Sequence, residues 1–105
     1  MIGSVDEYTK KLQACIDHYG LEGQSYQTME EAAELILALR KYWRRQPIMH
    51  DTITVENLRN DIIDELADMQ IMIDQMALGY NARDKVDERI RYKLDRQQVR
   101  IREET

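Results

Sequence analysis

Apolar residues in this chain recur at steps of three and four over four separate stretches, the period of helices that bury one face. The first stretch carries Val5, Tyr8, Leu12, Cys15, Ile16 and Tyr19. Ahead of it "SVDE" has the form of a capping box, with Ser4 as N-cap and Glu7 as its partner, and Gly20 is a natural stop. A loop, "GLEGQS", is expected next. The second helix then begins at Ser25 or at Thr28, where "TMEE" offers another box, and runs to about residue 45. Its apolar side is Met29, Ala32, Ala33, Leu35, Ile36 and Leu39. Pro47, the single proline, lies in a connector "QPIMHDTIT" and disfavours helix just before itself. Thr54 is the expected cap of a third helix over residues 55–78, striped by Leu58, Ile62, Leu66, Met69, Ile73 and Met76 and stopped by Gly79. Asn81 is the expected cap of a fourth, which carries Val86, Ile90, Leu94, Gln97 and Ile101.

Four helices with short connections predict an all-α, four-helix bundle-type fold in a single domain over residues 1–105. Scarce glycine and abundant Leu, Ile, Ala, Met, Glu and Arg agree with helix over sheet. The third and fourth helices are long for so short a chain, and their apolar stripes exceed what one copy buries. A homo-oligomer, dimer or tetramer, is therefore expected to complete the bundle.

Composition narrows the function classes. The net charge of −5 argues against a duplex nucleic-acid binder. No stretch has the apolar length of a membrane span, and "MIGSVDEYTKKL" lacks the apolar core of a signal peptide. One cysteine, Cys15, cannot form an internal disulfide, so a reducing, cytoplasmic setting is expected. At helical spacing Cys15 reads as apolar filler, for no His and Asn/Asp constellation accompanies it. His18 is expected near a helix C-terminus and His50 in a solvated loop.

The charges are arranged in blocks. No Lys or Arg occurs over residues 12–39, where "MEEAAEL" places Glu30, Glu31 and Glu34, nor over residues 60–82, which hold Asp61, Asp64, Glu65, Asp68 and Asp74. Like charges three or four apart on a helix repel modestly. Bases lie just beyond: "RKYWRR" closes the second helix, and Arg83, Lys85, Arg89, Arg91, Lys93, Arg96, Arg100 and Arg102 populate the fourth. Helix-end bases complement the helix dipole, and the last helix reads as solvated and laced with ion pairs.

The acids do not read so simply. Glu31 and Glu34 form an E-x-x-E pair, and Glu65 and Asp68 an E-x-x-D pair, each on one helical face at the edge of the apolar side. Four carboxylates in a partly buried site repel unless a cation neutralises them. Oxygen-only ligation selects a hard ion, Mg²⁺, with Mn²⁺ as a substitute. A di-iron bundle site would need a His three residues after a Glu on two helices, and neither His18 nor His50 meets that spacing. Glu30 is rotated off the shared face and reads as a helix-start charge.

"EEAAEL" followed by "DELADM" resembles the MazG-like all-α nucleoside triphosphate pyrophosphohydrolases, with weaker similarity over residues 24–100. The resemblance implies Glu31, Glu34, Glu65 and Asp68 as Mg²⁺ ligands and hydrolysis of an NTP or dNTP to the monophosphate and pyrophosphate. It implies that Glu34, or else Glu31, orients or deprotonates the attacking water. It also implies phosphate or sugar contacts from Lys93, Arg96 or Arg100, with Gln97 standing where the family usually has Asn. Thirty residues separate Glu34 from Glu65, more than the family's common gap. Trp43 and Tyr42 are candidates for stacking on a base, although core or interface is the commoner use of such residues. "GLEGQS" lacks the Lys-Ser/Thr ending of a phosphate-binding loop, which fits a metal-led site. The alternatives are a non-catalytic nucleotide- or partner-binding helical module and a structural helical oligomer with a solvated acidic face.

Overall fold

The computed structural model describes residues 5–45 and 52–105. Ser4 and the connector with Pro47 and His50 lie outside the described residues, and so do the cap and loop expectations placed on them. The described chain is all-helical: α1 (Val5–Tyr19), α2 (Leu21–Arg45), α3 (Thr52–Gly79) and α4 (Arg83–Glu104). None of these helices is long and apolar enough to cross a membrane.

The helices fall where the apolar period put them, but the expected caps of the second, third and fourth do not. The sequence "GLEGQS" is not a loop. Gly20 alone, at φ +85°, separates α1 from α2. Its N–H closes α1 on the Ile16 carbonyl at 2.8 Å, and its own carbonyl accepts from Gln24 N at 3.0 Å to open α2. A side chain would strain that left-handed backbone, which glycine adopts freely. Ser25 and Thr28, the two expected caps, lie inside α2. Each hydroxyl donates back to the carbonyl four residues earlier, Leu21 and Gln24 respectively, at 2.8 Å. Such back-bonding is the other use a helix makes of Ser and Thr. Glu30 accordingly stands well within α2 and not at its start. Thr54 similarly lies inside α3.

At the far end Asn81 terminates α3 instead of capping α4. It adopts φ +52°, with Asn81 N on the Leu78 carbonyl at 3.0 Å and Ala82 N on the Ala77 carbonyl at 2.8 Å. That pair of bonds is a Schellman closure, where Asn is the usual second choice to glycine. Ala82 becomes the N-cap of α4 and contributes no side-chain bond.

α2 and α3 form the main packed pair, and α1 lies against both. Among the described residues Leu12, Ile16, Leu58 and Met72 are the buried apolar ones. Between α2 and α3 two polar side chains are buried as well: Gln24 Nε2 donates to Gln75 Oε1 at 2.8 Å. Gly79 lets α1 and α2 approach, since a Cβ there would stand 2.5 Å from Leu21 Cδ1 and 3.5 Å from Ile16 Cδ1.

α4 departs from this body. Among the described residues its backbone packs against α3, its first residue reaches α1 through Arg83 Nη2, which donates to Thr9 Oγ1 at 3.2 Å, and every residue over 87–105 is exposed. The radius of gyration, 17.3 Å, exceeds the roughly 13 Å of a compact chain this long. Large apolar side chains stay open to solvent on all four helices, among them Tyr19, Ile36, Trp43, Leu66, Leu94 and Ile101.

Candidate metal and nucleotide site

Antiparallel packing of α2 on α3 brings the two acidic runs together. Seven residues on from Gln24 is Glu31, and seven residues back from Gln75 is Asp68. Two helical turns therefore carry the register of the buried glutamine pair to the acidic pair. Glu31, Glu65 and Asp68 each place a carboxylate oxygen so that the three lie within 4.8 Å of one another. Glu31 and Glu65 are half-buried and Asp68 is exposed, so the cluster sits at the rim of the helix pair, open on one side.

Two oxygens in the cluster are short of partners. Glu31 Oε1 accepts from Gln27 Nε2 at 2.9 Å, whereas Glu31 Oε2 and Glu65 Oε2 are cut off from solvent with no hydrogen-bond partner among the described residues. Orphaned carboxylate oxygens cost free energy unless a proton or cation meets them. Glu65 responds as expected for that environment: desolvation raises its pKa above the ordinary value, and the charges of Glu34, Asp68, Glu31 and Asp64 raise it further. The donor set is all oxygen, with an open face for water or substrate. It fits a hard divalent cation such as Mg²⁺.

Of the residues singled out from the sequence, Glu31, Glu65 and Asp68 converge. Glu34 is exposed and outside the close cluster, yet its charge is the strongest single neighbour acting on Glu65. Lys93, Arg96, Gln97 and Arg100 stand on the exposed part of α4. There Arg96 lies 5.6 Å and Arg89 4.9 Å from the centre of the Tyr92 ring. Trp43 is 66 % exposed and stands edge-to-face with Tyr42, their ring centres 5.3 Å apart. Neither group is brought to the acidic cluster within one chain.

A groove between α1 and α3, about 640 Å³ in volume, was not among the expectations; Leu12, Cys15, Ala67 and Ile71 line it together with Tyr8, Lys11, Gln70 and Asp74. At its edge the Tyr8 hydroxyl donates to Asp74 Oδ2, and Gln70 Nε2 donates to Asp74 Oδ1 at 3.1 Å. Burial first, and this bond to Asp74 next, push the Tyr8 phenol up to about 12. Cys15, expected as a buried apolar filler, is a free thiol only half-buried and lines this groove. His18 is in the last turn of α1, edge-on to Tyr19 at 4.6 Å.

No family model, curated protein or solved structure matches the chain.

Proposed function

We propose that the protein is a Mg²⁺-dependent nucleotide hydrolase that cleaves nucleoside triphosphates to the monophosphate and pyrophosphate. The observation that carries this reading is the convergence of Glu31, Glu65 and Asp68 with two solvent-excluded, unpartnered carboxylate oxygens. Repulsion in such a cluster is relieved by a cation, and an oxygen-rich, open-sided set is suited to one that shares its remaining positions with phosphate. The E-x-x-E and E-x-x-D spacing that resembles the MazG-like enzymes supports the same reading.

In this reading Glu31, Glu65 and Asp68 hold the cation and fix its place between α2 and α3. When bound, Mg²⁺ supplies a water of lowered pKa and neutralises phosphate charge. Glu34, exposed beside the cluster, orients the attacking water and accepts its proton on a carboxylate oxygen. Water attacks the α-phosphorus, the α–β anhydride bond breaks, and pyrophosphate leaves. The setting is cytoplasmic, and Mn²⁺ serves as a substitute ion.

A homo-oligomer, dimer or tetramer, belongs to this reading. The open stripe of α4 and the open apolar residues of α2 and α3 call for a second copy. Lys93, Arg96, Gln97 and Arg100 meet phosphate only if a partner's α4 lies across the acidic cluster, and Trp43 meets a base only in such an assembly.

Pyrophosphate release across a panel of NTPs and dNTPs with Mg²⁺ tests the activity. Turnover lost in Glu34→Ala and in Glu65→Ala supports it; silence of the parent across the panel overturns it. The distance of the α4 bases from the acids favours one rival, a nucleotide-binding module without turnover. That rival is marked by a melting temperature raised by nucleotide in a protein that releases no pyrophosphate.

A further inference from the structure

We infer that a row of basic side chains along α4, formed by Lys85, Arg89, Arg96 and Arg100 with the Tyr92 ring among them, is a binding surface for single-stranded nucleic acid. The inference stands apart from the hydrolase reading, and its test is made at Lys85, Arg89 and Tyr92, which have no part in that reaction.

Register makes the row. Lys85, Arg89, Tyr92, Arg96 and Arg100 follow at steps of four, three, four and four, so they share one face of α4. All five are exposed. From Lys85 to Arg100 that face runs about 22 Å. Asp84, Asp87 and Asp95 are turned about 100° or more from the middle of the row, and Glu88 about 80°. Glu103 follows one turn beyond Arg100, at the far end.

The charges of the row are largely unspent within the chain. An exposed basic helix ordinarily pairs its bases with acids three or four residues away. Lys85 Nζ stands 3.9 Å from Glu88 Oε2, and among the described residues that is the one ion pair on α4. Arg89 and Arg96 turn instead to Tyr92, their guanidinium carbons 4.9 Å and 5.6 Å from the ring centre. Nor does the helix dipole account for the row, since it favours cations in the last turn, where Arg102 stands.

Shape and charge select the occupant. A line of cations on a rod matches a polyanion that is itself linear, and the gain comes from counterions released by successive phosphates. The planar groups add what a base needs, because guanidinium planes and tyrosine rings stack on bases of any identity. In a duplex the base faces are already covered, so only the cations would engage it. The row has no apolar aliphatic side chain to enter a lipid surface.

A second copy has another face to cover. The apolar stripe of Ile90, Leu94 and Ile101 is centred about 140° from the row around the helix. Seating that stripe on a partner leaves Lys85, Arg89 and Tyr92 facing outward. α4 is exposed along residues 87–105, so a strand on this outer edge also avoids the acids of α2 and α3, which would repel it from the body.

The test uses the full chain in EDTA, which keeps metal ions from bridging phosphate to the acidic cluster. Fluorescence anisotropy follows a labelled oligothymidylate of about twelve nucleotides and its duplex with oligoadenylate, each over a range of salt. The strand is expected to bind at least about fivefold more tightly than the duplex. Tyr92→Ala should weaken the strand by a similar factor and leave the duplex unchanged, and Tyr92→Trp should keep strand binding at the parental level or above. Arg89→Gln and Lys85→Gln should weaken both probes and each lower the salt slope by about one. Circular dichroism should show unchanged helix content in all four variants. Absence of strand binding at low salt overturns the inference. Equal affinity for strand and duplex, with Tyr92→Ala at parental strength, marks an unselective cationic patch and overturns it too. A strand held by Arg89→Gln at parental affinity and salt slope lies elsewhere on the protein, which removes the row. Light scattering settles the last rival: an oligomer that dissociates in Arg89→Gln, from a parent that binds no strand, gives the row to a second copy.

Discussion

Gln24 Nε2 donates a 2.8 Å hydrogen bond to Gln75 Oε1 inside the α2–α3 interface, where Gln75 is 2 % exposed. A buried amide accepts few substitutes for its partner. Gln24→Ala leaves Gln75 without its donor and should destabilise by about 1–3 kcal/mol. In urea this appears as a lower midpoint at unchanged slope. The double variant Gln24→Leu/Gln75→Leu removes both polar groups and should recover most of that loss. Because the same register brings Glu31 to Asp68, the double variant should nonetheless bind Mg²⁺ less tightly than the parent. Unchanged Mg²⁺ affinity would show that the pair does not set the register.

Mg²⁺ should stabilise the protein through the cluster. Ligand at a hundredfold over its dissociation constant adds about 2.7 kcal/mol. Thermal melts with and without Mg²⁺ check this, with Glu31→Gln, Glu65→Gln and Asp68→Asn each losing the gain. A control that keeps it is Glu30→Gln, which is exposed on α2 and absent from the cluster.

The pH dependence of the metal-free protein follows from Glu65, whose pKa is raised above 4.5 by desolvation and then by Glu34, Asp68, Glu31 and Asp64. Its folded form holds the proton more tightly than the unfolded chain does. Stability from this group is therefore fully present below about pH 4.5 and is lost as pH climbs through the folded value. Without metal, Glu65→Gln should be the more stable protein at neutral pH, and its advantage should vanish toward pH 4. With Mg²⁺ present the order should reverse. Denaturant titrations of parent and variant across that range give the measurement.

Tyr8 supplies an alkaline counterpart. Its phenol titrates at about 12, two units above the ordinary 10.0, by desolvation and by the bond to Asp74. The folded state keeps the proton, so its stability falls as pH rises from 10 toward 12. Absorbance titration of the phenolates should show one late tyrosine in the parent and none in Tyr8→Phe.

Oligomer formation should depend on the exposed stripe of α4. Leu94→Asp and Ile101→Asp remove apolar contact at positions 58 % and 45 % exposed in one chain. Light scattering after size exclusion should report an oligomer for the parent and a monomer for the paired variant. A monomeric parent would remove the oligomer from the proposal.

Helix positions were legible in the sequence because apolar spacing reports which face is buried, and that face decides where a helix persists. Helix ends were not, because the capping residues are ambiguous one by one. Ser25 and Thr28 serve equally as caps or as back-bonded interior residues, and only the seating of Leu21 against Gly79 shows which. Asn81 likewise suits an N-cap or a left-handed C-terminus. Glu65 and Asp68 were legible as a pair because i, i+3 spacing fixes a shared face on α3. That Glu31 and not Glu34 joins them follows from how α2 packs on α3, which spacing along one helix does not carry. The relation of α4 to that group was not legible either, since spacing along one helix carries no information on where the next turn aims it. Gln24 and Gln75 escaped notice for a different reason: a polar residue buried by pairing looks like a surface residue until its partner is known.

The single-residue joint at Gly20 bears on how freely α1 moves. With no linker between α1 and α2 to take up slack, a swing of α1 away from α3 has to be absorbed at Gly20 and exposes the buried Leu12 and Ile16. The groove is then a standing feature of the fold instead of one that waits for a rare open form. Lengthening that joint by a few flexible residues should free α1 and leave the chemistry at the acids untouched.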